Sequence, residues 1–310
     1  MIVEALDSFD HLKSLHLHNV ELTDAMLESV ARCEALEGVR ISGETPVKGE
    51  VLEYLGRLPK LRGLGIENAG DIEDDDLHWL AGNERLLTLD LTGSRIQGEG
   101  LRHLSASRDL TILIVDDSPF TDAGMSSLTN FPELVVLSLK ETSISGLGLT
   151  NLSGALELHG CDFSGTKIRN ETLDRLAVSL PIGLLRLSGC EVGGEGFAAF
   201  TNFHQLSQLD LSETKVTDSD FETLGRIPKL RKLDLRGTGL TGRGLREIEQ
   251  VYWLDLRGSA VTEAELKVVV EDYLPGGGSL TVSPGVFTGD WWKTVGPDHF
   301  PREIFIDVEE

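Results

Sequence analysis

Positive charge is scarce in this chain. It carries 28 Lys and Arg against 51 Asp and Glu, a formal net charge of −23 over 310 residues. That balance argues against a nucleic-acid backbone or an anionic membrane surface as the main partner, because like charges repel and no counterions are released. It favours solubility and basic or neutral partners. Long apolar runs are missing too. Hydrophobic residues make up 40% of the chain, enough for a packed core, but the runs are short, such as Val268-Val269-Val270. None approaches the roughly 20 residues that span a bilayer. The start, Met1-Ile2-Val3-Glu4-Ala5-Leu6-Asp7, shows no basic region followed by an apolar stretch, so no secretory leader is expected. Cysteine is sparse: Cys33, Cys161 and Cys190 are odd in number and far apart. They argue against a disulfide scaffold and fit a reducing, cytoplasmic setting.

What the chain does have is a beat. The pattern L-x-x-L-x-L occurs at Leu12-Leu15-Leu17, Leu36-Val39-Ile41, Leu61-Leu64-Ile66, Leu86-Leu89-Leu91, Leu110-Leu113-Val115 and Leu134-Leu137-Leu139. Successive starts over these six units differ by 24, 25, 25, 24 and 24 residues. The pattern resumes at Ile182-Leu185-Leu187, Leu206-Leu209-Leu211, Leu230-Leu233-Leu235 and Val251-Leu254-Leu256. Between the two runs, Ala155-Leu156-Glu157-Leu158 reads as a strand with a damaged first position, and Leu280-Thr281-Val282 reads as a last strand. The second half of each unit repeats as well: Thr121-Asp122-Ala123-Gly124-Met125 has counterparts at Thr217-Asp218, Thr241-Gly242 and Thr262-Glu263. A hydroxyl residue followed by an acid predicts a helix N-cap, with the acid at the positive helix end. Each unit is thus one strand, a turn and a short helix. No unit buries its apolar face alone, so the units must stack.

The combination L-x-x-L-x-L-x-x-(T/S/C)-x-(I/V)-T-D-x-G-L-x-x-L resembles the leucine-rich-repeat family, and within it the cysteine-containing, ribonuclease-inhibitor-like subtype. The match runs over about residues 12–283. It implies an α/β solenoid: a curved horseshoe with a parallel β-sheet on the concave face and short helices on the convex face. At the corner position, where the wider family carries Asn, this chain has Ser94, Ser118, Thr142, Cys161, Cys190, Thr214, Thr238 and Ser259. Cys33 stands where this subtype often places its other cysteine. All three thiols therefore read as structural, since no base stands in a neighbouring column to activate them. Many proteins resembling this subtype recognise substrates for ubiquitin ligases through an attached F-box, but no F-box-like segment precedes residue 12.

The expected domain organisation is a repeat array over residues 1–283, with about twelve strands, followed by a cap or tail over 284–310. Leu6-x-x-Phe9-x-x-Leu12 reads as the helical tail of a preceding unit and as the array's own cap. Residues 150–180 read as an irregular unit with a longer loop. After Gly276-Gly277-Gly278 the period ends, and Trp291, Trp292, Phe300, Phe305 and Ile306 suggest a C-terminal cap over the open core.

Strand side chains alternate, so the residues between the leucines face the concave surface. Two patches stand out there. One is apolar: Ile112, Ile114, Val136 and Leu184. The other is C-terminal and mixed: Asp210, Lys232, Asp234, Arg236, Tyr252, Trp253, Asp255 and Arg257. Trp, Tyr and Arg are enriched in binding hot spots, and contiguous exposed apolar area marks contact sites. The competing reading of the second patch is that its Asp and Arg columns neutralise each other across adjacent strands.

Other chemistry is weakly supported. His16 and His18 share a strand face, but Arg40 rather than a ligand stands beside them. The run Asp71-Ile72-Glu73-Asp74-Asp75-Asp76 lacks the spacing of a calcium loop and sits in the cap slot before Leu77. Gly193-Gly194-Glu195-Gly196 has no following Lys and Ser/Thr and is no phosphate loop. The expectation is a non-catalytic interaction scaffold, monomeric and cytoplasmic, without metal or cofactor, that recognises a protein through its concave strand face. The alternatives are a substrate-recognition subunit of a ubiquitin-ligase-like complex or the binding module of a larger effector or enzyme.

Overall fold

In the computed structural model the described residues are 11–44, 46–177, 180–194, 197–248, 250–272, 279–283, 286 and 303–306. The expected N-terminal cap around Leu6 and Phe9, and Trp291, Trp292 and Phe300, lie outside them. The chain divides into two compact units, Met1–His159 and Gly160–Glu310.

The first unit holds six parallel strands: β1 (Ser14–His18), β2 (Gly38–Ser42), β3 (Gly63–Ile66), β4 (Thr88–Asp90), β5 (Ile112–Ile114) and β6 (Val136–Ser138). Registry follows the beat, with Leu15 opposite Val39, Leu64 opposite Leu89, and Leu113 opposite Leu137. The residues returning from each strand form α1 (Asp24–Ala31), α2 (Val51–Leu55), and then 3₁₀ turns at Asp74–Leu80, Glu99–Leu104, Gly124–Asn130 and Leu147–Gly154. A unit of some two dozen residues leaves room for only a turn or two of helix, which is where the tighter 3₁₀ form is used.

The second unit repeats the design with β7 (Gly160–Asp162), β8 (Leu184–Arg186), β9 (Gln208–Asp210), β10 (Lys232–Asp234), β11 (Trp253–Asp255), β12 (Ser279–Val282) and β13 (Glu303–Ile306). All are parallel to their neighbours. Its return segments include α3 (Asn170–Ala177), α4 (Phe221–Gly225) and α5 (Glu263–Asp272). β13 falls within the segment expected to be cap or tail and pairs in register with β12, Leu280 opposite Ile304.

The middle of the chain differs from expectation. The strand anticipated at 155–158 is instead Gly160–Asp162, and Cys161 lies opposite Leu185. Leu158, Cys161 and Phe163 are the apolar triplet of this unit, each at most 1% exposed, whereas Leu156 is 64% exposed. Cys161 therefore fills a leucine position in the core, and the corner residue is Thr166, whose hydroxyl donates to Phe163 O at 2.6 Å. With that correction the loop is no longer than others: Leu134, Leu158 and Ile182 are each 24 residues apart.

Hydrogen bonds close the corner of each repeat and, in the return turn, join one repeat to the next. At the corner, the hydroxyl donates to the carbonyl three residues back: Ser118 to Val115 at 2.7 Å, Thr142 to Leu139 at 2.7 Å, Thr238 to Leu235 at 2.6 Å. Cys190 Sγ reaches into the preceding repeat, 3.1 Å from Phe163 O. In the return turn, the acid after the Thr does more than favour its own helix end. Asp122 accepts from Ser145 N–H and Oγ–H, Gly146 N–H and Gly148 N–H of the following repeat. Asp74 does the same for Gln97, Gly98 and Gly100, and Asp218 for Thr241 and Gly242. Burial alone pushes the Asp122 carboxyl up, but the donors from Gly148, Ser145 and Gly146 outweigh it and hold it below the ordinary carboxylate range. Asp218 is lowered for the same reason, its burial offset by the bonds from Thr241 and Gly242.

The recurrence of glycine at one position of the return turn, at Gly100, Gly124, Gly148 and Gly244, has a steric cause. A Cβ on Gly124 would stand 2.1 Å from Gln97 O and 2.7 Å from Gly98 Cα of the preceding repeat. Gly124→Ala is therefore expected to destabilise the chain by about 1–3 kcal/mol, as overpacking does. The readout is the urea midpoint at unchanged slope, and an unshifted midpoint refutes the close approach.

Asp122→Ala strips four donors of their acceptor and is expected to cost about 2 kcal/mol at neutral pH. Because the folded carboxyl sits below its unfolded value, this stabilisation is complete above the ordinary carboxylate range. It is lost as pH falls through the lower, folded value. Wild type and variant should converge in acid; a gap that stays constant with pH contradicts an ionised ladder.

Candidate binding face

In each strand the central apolar residue enters the core and its two neighbours face outward, as the period of two requires. In the second unit the residues before the central position are Gly160, Leu184, Gln208, Lys232 and Trp253, and those after it are Asp162, Arg186, Asp210, Asp234 and Asp255. The strand shift at β7 puts Gly160 and Asp162 into these columns in place of Ala155 and Glu157.

These columns form a cleft of about 410 Å³. It brings together six of the residues singled out from the sequence: Leu184, Asp210, Lys232, Asp234, Arg236 and Trp253. Arg186 and Gln208 line it as well. Both stand in the same sequence columns; Gln208 is neither apolar nor charged, and Arg186 lies one strand ahead of the C-terminal Asp/Arg group, apart from the apolar one. Tyr252 is 46% exposed beside Trp253, and Tyr252, Asp255 and Arg257 are not among the residues lining the cleft. Of the apolar patch, Ile112 and Val136 are paired in register on β5 and β6 of the first unit, with Ile114 opposite Ser138. All three are half-buried. Leu184 belongs to the second unit's cleft instead.

The Asp and Arg columns largely satisfy each other. Asp255 is 1% exposed and Asp234 8%. Arg257 Nε donates to both Asp255 oxygens, at 3.1 and 3.2 Å, and its Nη2 adds a bond of 2.8 Å. Arg236 holds Asp234 in the same way, with Nε 2.9 Å from each oxygen, and stands 3.7 Å from Asp255 Oδ2 on the next strand. These forked, two-oxygen pairs use the geometry that only a guanidinium offers. Burial, together with the neighbouring Asp210 charge, raises the Asp234 carboxyl despite the bonds from Arg236. The same contacts, the Asp234 bond first, raise Arg236.

Elsewhere the structure gives other sequence candidates structural duties. His16 Nε2 and His18 Nδ1 both lie within hydrogen-bond distance of Ser42 Oγ, at 3.0 and 2.9 Å, and Asn19 Nδ2 stands 3.1 Å from His18 Nε2. Within the acidic run, Asp76 accepts from Glu73 N–H at 2.8 Å, and Asp71 pairs with Arg95 at 3.0 Å. Cys33, Cys161 and Cys190 are buried thiols, and desolvation first, then the Asp162 charge, pushes the Cys161 thiol far up. A larger cleft, about 720 Å³, lies in the first unit among Asn19, Glu21, Asp24, Ser42, Glu44, Lys48 and Glu50. It opens at the turns after β1 and β2 rather than on the strand columns.

The pairing separates two residues that looked equivalent in sequence. Arg257→Ala leaves the buried Asp255, among the described residues, with the backbone N–H of residue 257 and with Arg236 at 3.7 Å, and is expected to destabilise the fold by about 2 kcal/mol. Trp253→Ala removes a half-buried side chain at the cleft and should disturb the fold less. Paired thermal melts decide this: equal losses would refute the counter-ion role of Arg257.

A leucine-rich-repeat profile ("Leucine Rich repeat") matches residues 82–105 and 226–248. No curated protein sequence matches the chain. Among solved structures, an internalin (inlF) from Listeria monocytogenes is similar at a TM-score of 0.55 and 18% identity, over 84% of each chain. Internalin C2 from the same organism aligns at TM-score 0.52 and 19% identity, over 68% of this chain and 84% of its own. The functional domain of InlJ from Listeria monocytogenes, which includes a cysteine ladder, aligns at TM-score 0.53 and 17% identity. That match covers 90% of this chain and 60% of the InlJ chain. In the present chain the three cysteines occupy three different positions of the repeat, Cys33 before the first leucine, Cys161 at the central one and Cys190 at the corner. What is shared is the repeat fold; the cysteine-containing subtype is not distinguished by it.

Proposed function

Because the chain is a leucine-rich-repeat protein, we propose that it works as a non-catalytic scaffold that binds a protein partner. In this reading the strand face of the second unit docks the partner, with the cleft at its centre. The observation that carries the reading is the cleft itself: half-buried Leu184 and Trp253 stand among charged side chains on short, hydrogen-bonded strands. A surface held in place before binding loses little freedom on association, so fewer contacts suffice for affinity. An apolar anchor ringed by charged groups is also the usual anatomy of an interface centre.

The non-catalytic part of the proposal is supported by the state of the reactive groups. The three thiols are buried, and Cys161 is held protonated. The Asp234 and Asp255 carboxylates are committed to arginines rather than set apart as an acid and a base. Buried, unbridged thiols also support a reducing, cytoplasmic location. The charge of −23 supports a protein rather than a nucleic acid or an anionic bilayer as partner. We take the chain to act as a monomer on the same ground of self-repulsion.

The test is affinity capture from the native cell with wild type, with Trp253→Ala/Leu184→Ala, and with Ile112→Ser/Val136→Ser on the first unit. Selective loss of one set of captured proteins in the cleft variant, with its melting curve unchanged, is the expected result. Loss only in the first-unit variant would move the binding face to β5 and β6. An identical set from all three would refute docking through the strand face.

A further inference from the structure

We propose that the cleft of the second unit takes a lysine or arginine side chain from the partner, its charged end at Asp210 and its stem between Leu184 and Trp253. This rests on the strand-face reading above and deepens it by naming the chemistry of the occupant.

The argument is one of which charges are already used. On this face Arg257 serves Asp255, Arg236 serves Asp234, and Arg186 stands 3.5 Å from Asp162. Among the described residues Asp210 has no ion pair. Its hydrogen bonds come from Ser212 N–H at 2.9 Å and Ser212 Oγ–H at 2.6 Å, and both go to Oδ1. Oδ2 is left without a bond, on a carboxylate already fixed in direction. Across the ladder Asp210 lies opposite Arg186 on one side, whose guanidinium turns to Asp162, and opposite Asp234 on the other. Two carboxylates side by side repel, and the rise in the Asp234 carboxyl records part of that cost. A cation placed at Asp210 relieves it.

Lys232 also lines the cleft and also has no ion pair, so an acidic occupant has to be weighed. Two observations favour the cation. Lys232 carries its charge on a flexible stem free to turn to solvent, whereas Asp210 is held by two bonds and loses nothing further on binding. The chain as a whole bears −23, which draws a basic partner in and opposes an acidic one at every distance where screening permits. Trp253 and Leu184 line the same cleft and supply apolar surface for the methylenes of a long basic side chain.

The experiment titrates the full chain with two blocked pentapeptides, Gly-Gly-Arg-Gly-Gly and Gly-Gly-Glu-Gly-Gly. Readouts are the Leu184 methyl and Trp253 indole NMR signals. Expected are saturable shifts with the arginine peptide and none with the glutamate peptide. Asp210→Asn, which keeps the Oδ1 acceptor and hence the Ser212 bonds, should weaken binding at least tenfold. Glu99→Gln, an equal charge change on an exposed site of the first unit, should leave it within twofold. The proposal is overturned if the glutamate peptide binds instead, if the two variants weaken binding equally, or if neither peptide shifts these signals. In each of those cases the capture experiment with Trp253→Ala/Leu184→Ala still decides separately whether the face docks a protein.

Discussion

Every feature of this chain follows from one constraint: a unit of about two dozen residues cannot bury three leucines by itself. Leu89 is covered by Leu64 and Leu113 of the adjoining strands, and Leu209 by Leu185 and Leu233. The apolar contact is between repeats, so the repeats must advance with no slip. A shift by one residue would turn the leucines outward and the face residues inward. The parallel ladder is the consequence, and the outward columns inherit its regularity.

The turns are held to the same pitch by polar means. Asp74, Asp122 and Asp218 each reach one repeat ahead to backbone donors that a tight glycine turn leaves unpaired. The corner hydroxyls fix the end of each strand by donating to a carbonyl of the same repeat. Apolar columns and polar ladders thus demand the same spacing, and agreement between levels is what makes a sequence specify one structure. Aromatics reinforce the second unit, where Phe197, Phe200 and Phe203 pack in sequence with centroids 4.4 and 5.9 Å apart. Phe131 and Phe203 occupy the position that Cys33 holds in its own repeat, where two other repeats carry Asn83 and Ser107, so both size and polarity vary there.

Function, by contrast, is carried by what the ladder leaves over. Four aspartates and four cations face out from the second unit, and the ladder places them at fixed intervals. Pairing consumes most of them. What remains, Asp210 and Lys232 between Leu184 and Trp253, is where the surface still has interactions to offer. In the proposed reading, net charge acts over a longer range on who approaches, and the unpaired groups on what fits.

The linear order of residues was enough for the period, the core and the two faces, because burial at a period of two or of one repeat depends on residue type alone. It failed at Leu156 and Leu158, which both suit an alternating strand. Only packing against neighbouring columns puts Leu158 inside and Leu156 in solvent. It also failed to tell Arg257 from Trp253, or Asp255 from Asp210. Whether a face residue is spent on a neighbour depends on forked distances of about 3 Å between side chains two residues or one strand apart. Those distances are set by strand registry and backbone turn, quantities that exist only once the repeats have stacked.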